Sequence, residues 1–492
     1  MGLNVGYRVH GAPQDPALTF VLADGSCRSH TYADVERMTG VFQSRLAVLG
    51  LAAGDAVGVL AENSDDTIFL WLAALRAGLT VVPVNHKLPA AAVAHILMDA
   101  SVRHVLVDEG RRHLVPEGMP SSPLESGPEV PAAVPDGIRD IDPEATCVVL
   151  YTSGSTGMPK GVAMSHAGYN WTIDMRLRGG PHSSHCLIAA APLYHINALG
   201  AVTFALAAGA HAVLLQRFDA RLYIDSIARF RCTWLTSVPA MIAMVVRESE
   251  LLARTDLSSV RIVRMGSSPV SDKLLAQVRQ VFGNVNLSNH YGTTEGGPLV
   301  FGAGPGGKVT PDGGAGWPLP GVDVRLVDEQ GRVAADQGVL VHKTPATMKG
   351  YLNLPEKTRA VLSDDGWYFS GDIFRRDEDG CYWFVSRSDD MFVCGGENIH
   401  PQEAERVLEM HPGVQQACVV PVPDEVKGAK PVAFVVIRPG AAVTEDELKS
   451  HALAHGPAYQ HPRRIHFVDS LPLAGTNKID RKLLIGLAQE SP

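Results

Sequence analysis

The sequence predicts an α/β protein in two parts. A large N-terminal part carries helix-covered, mostly parallel sheets and ends in a small antiparallel β unit; a compact α+β unit follows. Three observations predict this. Short β-branched runs alternate with amphipathic Ala/Leu-rich segments as far as residue 266. From about residue 312 the pattern changes to short strands joined by Gly- and Asp-containing turns. The last hundred residues or so then carry a helix, strand, strand, helix pattern of their own.

The elements follow in order. VGVLAE (57–62) reads as a strand, residues 65–78 as a helix and TVVPVN (80–85) as a strand. A second helical pattern (89–100) leads into the strand HVLVDE (104–109). Residues 121–137 are rich in Pro, Ser and Gly and read as a loop or internal boundary. Strands resume at CVVLY (147–151), HAVLL (211–215), TWLTSV (233–238) and RIVRMG (261–266). GVDVRLVDEQGRV, GVLVHK and GCYWFVSR form the antiparallel unit. In the last unit a helix opens at Pro401, where proline suits a first turn. QQACVVPV and PVAFVVI are strands, and Thr444 with Glu447 is a capping box for a second helix.

The chain has 492 residues, enough for about two to four domains. Hydrophobic residues make up 46%, which supports large cores. The 43 Lys+Arg against 52 Asp+Glu give a net charge of −9, and no long basic block exists. This excludes nucleic acid as the main partner. The seven cysteines are scattered and include no C-x-x-C pair. They read as reduced thiols of a cytoplasmic protein, and the first residues show no secretory signal. Residues 187–215 lack Asp, Glu, Lys and Arg. Pro192, His195, Asn197, His211 and several glycines interrupt them, so they read as strand, loop and helix inside an α/β core rather than a membrane span.

The sharpest motif follows an apolar strand: Tyr151-Thr152-Ser153-Gly154-Ser155-Thr156-Gly157-Met158-Pro159-Lys160-Gly161. Glycines let backbone N–H groups turn toward one anion, and hydroxyls and a lysine add donors, a combination suited to a polyphosphate. The spacing is not that of a Walker A loop, because Lys160 is followed by Gly161.

This loop resembles the phosphate-binding signature of the adenylate-forming superfamily, which contains acyl- and aryl-CoA synthetases, luciferases and peptide-synthetase adenylation domains. Six further motifs stand in the family's order: Pro192–His195, Tyr291–Glu295, Tyr368–Asp372, Arg387–Met391, Cys394–Pro401 and Asn477–Arg481. The similarity runs from about residue 10 to residue 485. The stretch from Arg387 to Pro401 is most similar to aryl-CoA ligases of the chlorobenzoate-activating kind.

The resemblance implies a fold and a chemistry. A large N-terminal domain (1–388, with α/β subdomains to about 311 and a β-barrel-like subdomain over about 312–388) would carry a small mobile C-terminal domain (389–492) on a hinge at Asp389. The reaction would join a carboxylic acid to AMP, releasing pyrophosphate, and then pass the acyl group to the thiol of CoA. ATP, Mg²⁺ and CoA are the implied cofactors.

Thr152–Gly157 and Lys160 would hold phosphates. Ser267, Ser268 and Pro269 would line the base, Tyr291 would offer it a ring face, and Gly292 and Thr293 belong to the same segment. Thr294 would touch the α-phosphate and Glu295 would ligate Mg²⁺. Asp372 and Arg387 would hold the ribose, and Lys478 would serve as the mobile catalytic lysine. Gly395, Gly396 and Glu397 would face the CoA thiol. The acid pocket would comprise Tyr194, His195, Asn197, Val238, Met265, His290 and Gly297, with His195 at its gate. The acid would be aromatic or of medium length. Amino-acid-activating relatives place an aspartate in this region to hold the substrate ammonium; Tyr194–Asn197 offers none, which disfavours an amino-acid substrate. Three alternatives stay open here: loading of a carrier-protein phosphopantetheine, a luciferase-like oxygenase, and a catalytically silent binding protein. A homodimer is the assembly left open.

Overall fold

The two largely parallel sheets of the N-terminal part share one core, and a buried helix packs against strands of both. The structure, a computed structural model, describes residues 2–125, 134–152, 158–268, 270–328, 330–474 and 478–490. One sheet has seven strands in the order Asn286–His290, Ile262–Gly266, Trp234–Ser237, Cys186–Ala189, His211–Leu215, Pro16–Val21 and Cys27–Thr31. All pairings are parallel except the last. The other has six strands, ordered Lys160–Ser165, Thr146–Thr152, Thr80–Pro83, Ala56–Leu60, Val102–Val107 and Ser121–Pro123, with only the first pair antiparallel. Strands covered on both faces need apolar residues on both, which is why these strands read as continuous runs.

The helix Asp65–Arg76 is buried along almost its whole length. Its Phe69, Trp71 and Leu75 lie in one cluster with Val57, Leu106 and Leu150 of the six-stranded sheet and Leu18, Leu187 and Leu214 of the seven-stranded one. Apolar residues all round a helix require such a position. Ser64 caps it by accepting from the Thr67 N–H, and Asp65 and Asp66 stand in its first turn, where the helix dipole favours negative charge.

The segment without charges folds as expected. It forms the strand Cys186–Ala189, a turn, the buried helix Ile196–Ala207 and the strand His211–Leu215. Among the described residues no helix is long and apolar enough to cross a membrane. The stretch expected to be a loop after residue 121 instead begins with a short edge strand, Ser121–Pro123. An edge position tolerates the proline because no partner needs its missing N–H.

Five antiparallel strands follow, in the order Val333–Ala334, Asp323–Val327, Gln337–Lys343, Tyr368–Arg376, Tyr382–Arg387. The C-terminal unit pairs Glu397–Ile399, Phe392–Cys394, Gly428–Ile437 and Val414–Asp424, with Arg464–Phe467 added in parallel. Ala404, Leu408, Leu448 and Ala452 of the helices Pro401–Glu409 and Glu445–His455 pack on one face of this sheet, and Leu484 and Ala488 of Arg481–Glu490 on the other. The capping box of Thr444 and Glu447 forms as the sequence predicts.

Asp65 anchors its helix to the neighbouring sheet edge. Its carboxylate accepts from Arg28 Nε at 2.9 Å and hydrogen-bonds His30 Nε2 at 2.8 Å, with 4% of its side chain exposed. Burial alone would raise its pKa; Arg28 and His30 outweigh that and hold the carboxyl well below the usual carboxylate range. A depressed carboxyl contributes stability that is present above the unfolded pKa and lost as pH falls through the folded one. Asp65→Asn is therefore expected to lower the first thermal unfolding midpoint by roughly 2–5 °C near pH 7. The gap should narrow as pH drops below about 4. Thermal unfolding of both proteins across pH checks this, and a gap that widens on acidification contradicts it.

Candidate functional site

The C-terminal ends of the parallel strands open into a cleft, as expected for a ligand site in such sheets. It holds about 1200 Å³, and a smaller pocket of about 360 Å³ adjoins it. Ser267, His290, Gly292, Thr293, Arg387 and Lys478 border both. The smaller pocket also touches Glu405 and Glu409 of the C-terminal unit, so it lies between the two parts of the chain.

Asp372 and Arg387 meet because their strands are antiparallel neighbours with those residues in direct register. Asp372 is 4% exposed, and its Oδ1 accepts from Arg387 Nη1 at 3.1 Å. Tyr291 donates its hydroxyl to the other oxygen, Oδ2, at 2.5 Å. Burial pushes the Asp372 carboxyl up, while Arg387 and Tyr291 oppose the shift. Arg387 also donates to Asp389 Oδ2 at 3.1 Å, linking the ribose candidate to the hinge candidate. The Tyr291 ring meets Phe374 edge-on with centroids 4.7 Å apart, so the ring is fixed by packing as well as by its hydroxyl.

Thr152 and Lys160 stand opposite one another in an antiparallel pair. Thr152 donates to Glu295 Oε1 at 3.1 Å, and Tyr351 donates to the same oxygen at 3.2 Å. Lys160 Nζ sits 4.1 Å from the centre of the Tyr351 ring. The loop signature, the motif glutamate and a tyrosine outside every motif thus converge. Ser153–Gly157, Pro269 and Asn477 lie outside the described residues.

Two held hydroxyls aim one carboxylate oxygen at the cleft, and no group of three or more His, Cys, Asp or Glu among the described residues forms a metal cage. One hard oxygen ligand that leaves the remaining positions to substrate phosphates suits Mg²⁺.

Lys478 lies in the turn before the helix Arg481–Glu490 and, like Arg387, borders both pockets; Asp372 lines the smaller and Glu295 the larger. Desolvation lowers its pKa first and Arg387 second; Asp372 and Glu295 oppose. The residue as a whole still meets solvent, so this is a cleft mouth rather than a core.

Thr294, Tyr194, His195, Asn197, Val238, Met265 and His290 line the large cleft, and Ser268 the small one. Asn197 donates to Ser267 Oγ at 3.3 Å. Ser267 holds a φ of +69°, a conformation costly for a residue with a Cβ, which marks a constrained turn where the two pockets meet. Gly297 does not line either pocket; a Cβ there would come within 2.6 Å of Thr344 Oγ1, so it serves close packing. Gly395, Gly396 and Glu397 form an exposed turn outside both pockets, with Gly395 donating to the Lys427 carbonyl at 3.0 Å. Sequence reasoning missed Tyr351 as well as Arg176 and Arg264, which line the large cleft. The available signal was a charge in RIVRMG, an otherwise apolar parallel strand.

Known proteins resemble the chain over most of its length. The family model for an AMP-binding enzyme matches residues 7–352, and that for the AMP-binding enzyme C-terminal domain matches residues 403–478. A fatty acid–[acyl-carrier-protein] ligase of Streptomyces coeruleorubidus is 33% identical, with 96% of this chain and 94% of that protein covered. A feruloyl-CoA synthase of an Amycolatopsis species is 31% identical over 96% of each chain. The crystal structure of the anthranilate CoA ligase AuaEII with anthranoyl-AMP superposes with a TM-score of 0.85 at 26% identity, covering 97% of this chain and 95% of that one. The chain belongs to the AMP-binding, adenylate-forming enzymes, in their acyl- and aryl-CoA ligase branch.

Proposed function

We propose that the chain is an ATP-dependent carboxylic acid–CoA ligase that works through an acyl-adenylate. The observation that carries this is the convergence of Lys478, Arg387, Asp372 and Glu295 on two adjoining pockets, with Lys478 and Arg387 bordering both and both parts of the chain contributing. A carboxylate is a poor electrophile because oxide is a bad leaving group. Its oxygen attacks the α-phosphorus of ATP; the bond to the bridging oxygen of pyrophosphate breaks and pyrophosphate leaves. The thiol of CoA then attacks the acyl carbon, and AMP departs with the electron pair of the acyl–oxygen bond. No enzyme nucleophile is needed, so the protein acts by positioning and charge stabilisation.

The residues divide that work. Asp372 accepts from the ribose hydroxyls, with Arg387 beside it, and Ser267, Ser268 and Tyr291 border the base. Thr152, Lys160 and Thr294 contact phosphate. Glu295, held by Thr152 and Tyr351, would bind Mg²⁺, which neutralises phosphate charge when bound. Lys478 places its ammonium where negative charge grows on the α-phosphate. The acid enters past His195 and Tyr194 and is aromatic or of medium length.

In this reading residues 1–388 and 389–492 are separate domains that turn about Asp389. The pose seen here puts Lys478 into the cleft and leaves Gly395–Glu397 outside it. The second pose would exchange them for the thioester step. The seven free cysteines support a cytoplasmic home, and a homodimer is the assembly to test by sedimentation.

Lys478→Ala is expected to cut acyl-AMP formation by at least 100-fold, on the scale of losing one charge-stabilising donor. Thioester formation from supplied acyl-AMP should fall less than tenfold. Separate single-turnover assays of the two steps check this, with CoA and a phosphopantetheinylated carrier protein as acceptors; equal losses contradict a lysine specific to the first step. Asp389→Pro, which fixes φ at the hinge, should slow the thioester step more than adenylation. An unimpaired second step removes Asp389 from the hinge role.

A further inference from the structure

The inner wall of the large cleft carries positive charge that nothing nearby balances. Arg264 sits in the middle of the strand Ile262–Gly266 and is 8% exposed. In register beside it stand Thr236 on one side and Ser288 on the other, hydroxyls rather than carboxylates. Among the described residues Arg264 has no hydrogen-bond or ion-pair partner. Arg176 lines the same cleft from the helix His166–Leu177. One of its nitrogens donates to the Gly200 carbonyl at 2.9 Å, and its Nε is buried without a partner.

The cleft's acidic groups are committed elsewhere. Glu295 is held by Thr152 and Tyr351, Asp389 by Arg387, and Asp390 accepts from Gln402 at 3.2 Å. His290, whose buried Nδ1 also lacks a partner, offers no negative charge. Burial and the neighbouring arginines push its pKa well down and keep it neutral. Burial and Arg176 likewise push the Arg264 pKa down, the mark of two guanidiniums facing one space. A mostly buried charge without a carboxylate is costly, and the Arg264 guanidinium meets only the cleft. Helix C-terminal placement gives Arg176 some reason to be cationic, but no such reason applies to Arg264.

We propose that the acid taken by this cleft carries a second anionic group, a carboxylate or its equivalent, which Arg264 binds with Arg176 beside it. The inference rests on the ligase reading and refines its substrate class. One carboxylate is activated at the phosphate end, among Thr294, Glu295 and Lys478; the other completes the unmatched charge of the inner wall. Planar guanidinium forks suit a carboxylate held by two hydrogen bonds.

The test compares matched acids, hexanoate with adipate and benzoate with terephthalate, by ATP-dependent AMP release in the presence of CoA. The dianion is expected to show the higher kcat/KM in at least one pair, by about 10- to 100-fold, the scale of hydrogen bonds to a charged group. In Arg264→Met that ratio should fall at least tenfold with KM for ATP unmoved, and Arg264→Lys should restore part of it. Preference for the monoacid in both pairs overturns the inference, as does a ratio unchanged in a folded Arg264→Met or a variant effect confined to KM for ATP. Should Arg264→Met fail to fold, the wild-type ratios and those of Arg176→Met decide. Turnover of monoacids alone removes only this inference. No acid-dependent AMP release from any of the four, or from a wider acid panel, removes the ligase reading with it.

Discussion

The buried pair of Asp372 and Arg387 is the constraint on which the site depends. Antiparallel register sets them opposite each other, and each reaches a further group: Asp372 the Tyr291 hydroxyl, Arg387 the carboxylate of Asp389. Tyr291 extends from the end of the seven-stranded sheet, the pair belongs to the antiparallel sheet, and Asp389 leads into the C-terminal unit. Three parts of the chain are therefore tied at one point, on the edge of the cleft. An ion pair that is mostly buried on one side and open on the other is suited to this work. Asp372 is held in place by contacts that cost water, while Arg387 keeps a face toward whatever enters. The same carboxylate also draws Lys478 against the desolvation and the Arg387 charge that oppose its ammonium.

Much of this was legible in the sequence. The runs RIVRMG, TWLTSV and HAVLL are parallel strands because burial on both faces erases alternation, and that signature is hard to mistake. Tyr291, Glu295, Asp372, Arg387 and Lys478 stood out because each sits in a motif that resembles one of the adenylate-forming family's. Local pattern carried less where side chains from distant segments meet. Tyr351 belongs to no motif, yet it shares an oxygen of Glu295 with Thr152, a contact across 56 residues of chain on one side and 143 on the other. Gly297 was expected to line the acid pocket. Its φ of +103° and the crowding by Thr344 make it a packing position instead. The edge strand Ser121–Pro123 was hidden by its composition, since proline and serine are permitted only where no ladder partner follows.

The two ends of the cleft differ in how charge is managed. Near Lys160 and Lys478, Glu295 is held by the hydroxyls of Thr152 and Tyr351, and Asp372 and Asp389 by the guanidinium of Arg387. At the inner end, Arg264 and Arg176 have no such company. In a protein whose overall charge is −9, leaving two guanidiniums without a carboxylate inside the core is a local departure from the usual rule, and departures of that kind gather where a ligand completes the balance. Asn197, Ser267 and His290 line the same cleft, and Asn197 donates to Ser267 there.

Acid-dependent exchange of labelled pyrophosphate into ATP, measured without CoA, tests the central claim most directly, because it reports reversible acyl-adenylate formation and nothing later. The account predicts label in ATP that requires both Mg²⁺ and a carboxylic acid, in proportion to enzyme. Absence of exchange with every acid that the protein binds, or thioester formed with release of ADP rather than AMP, would contradict it.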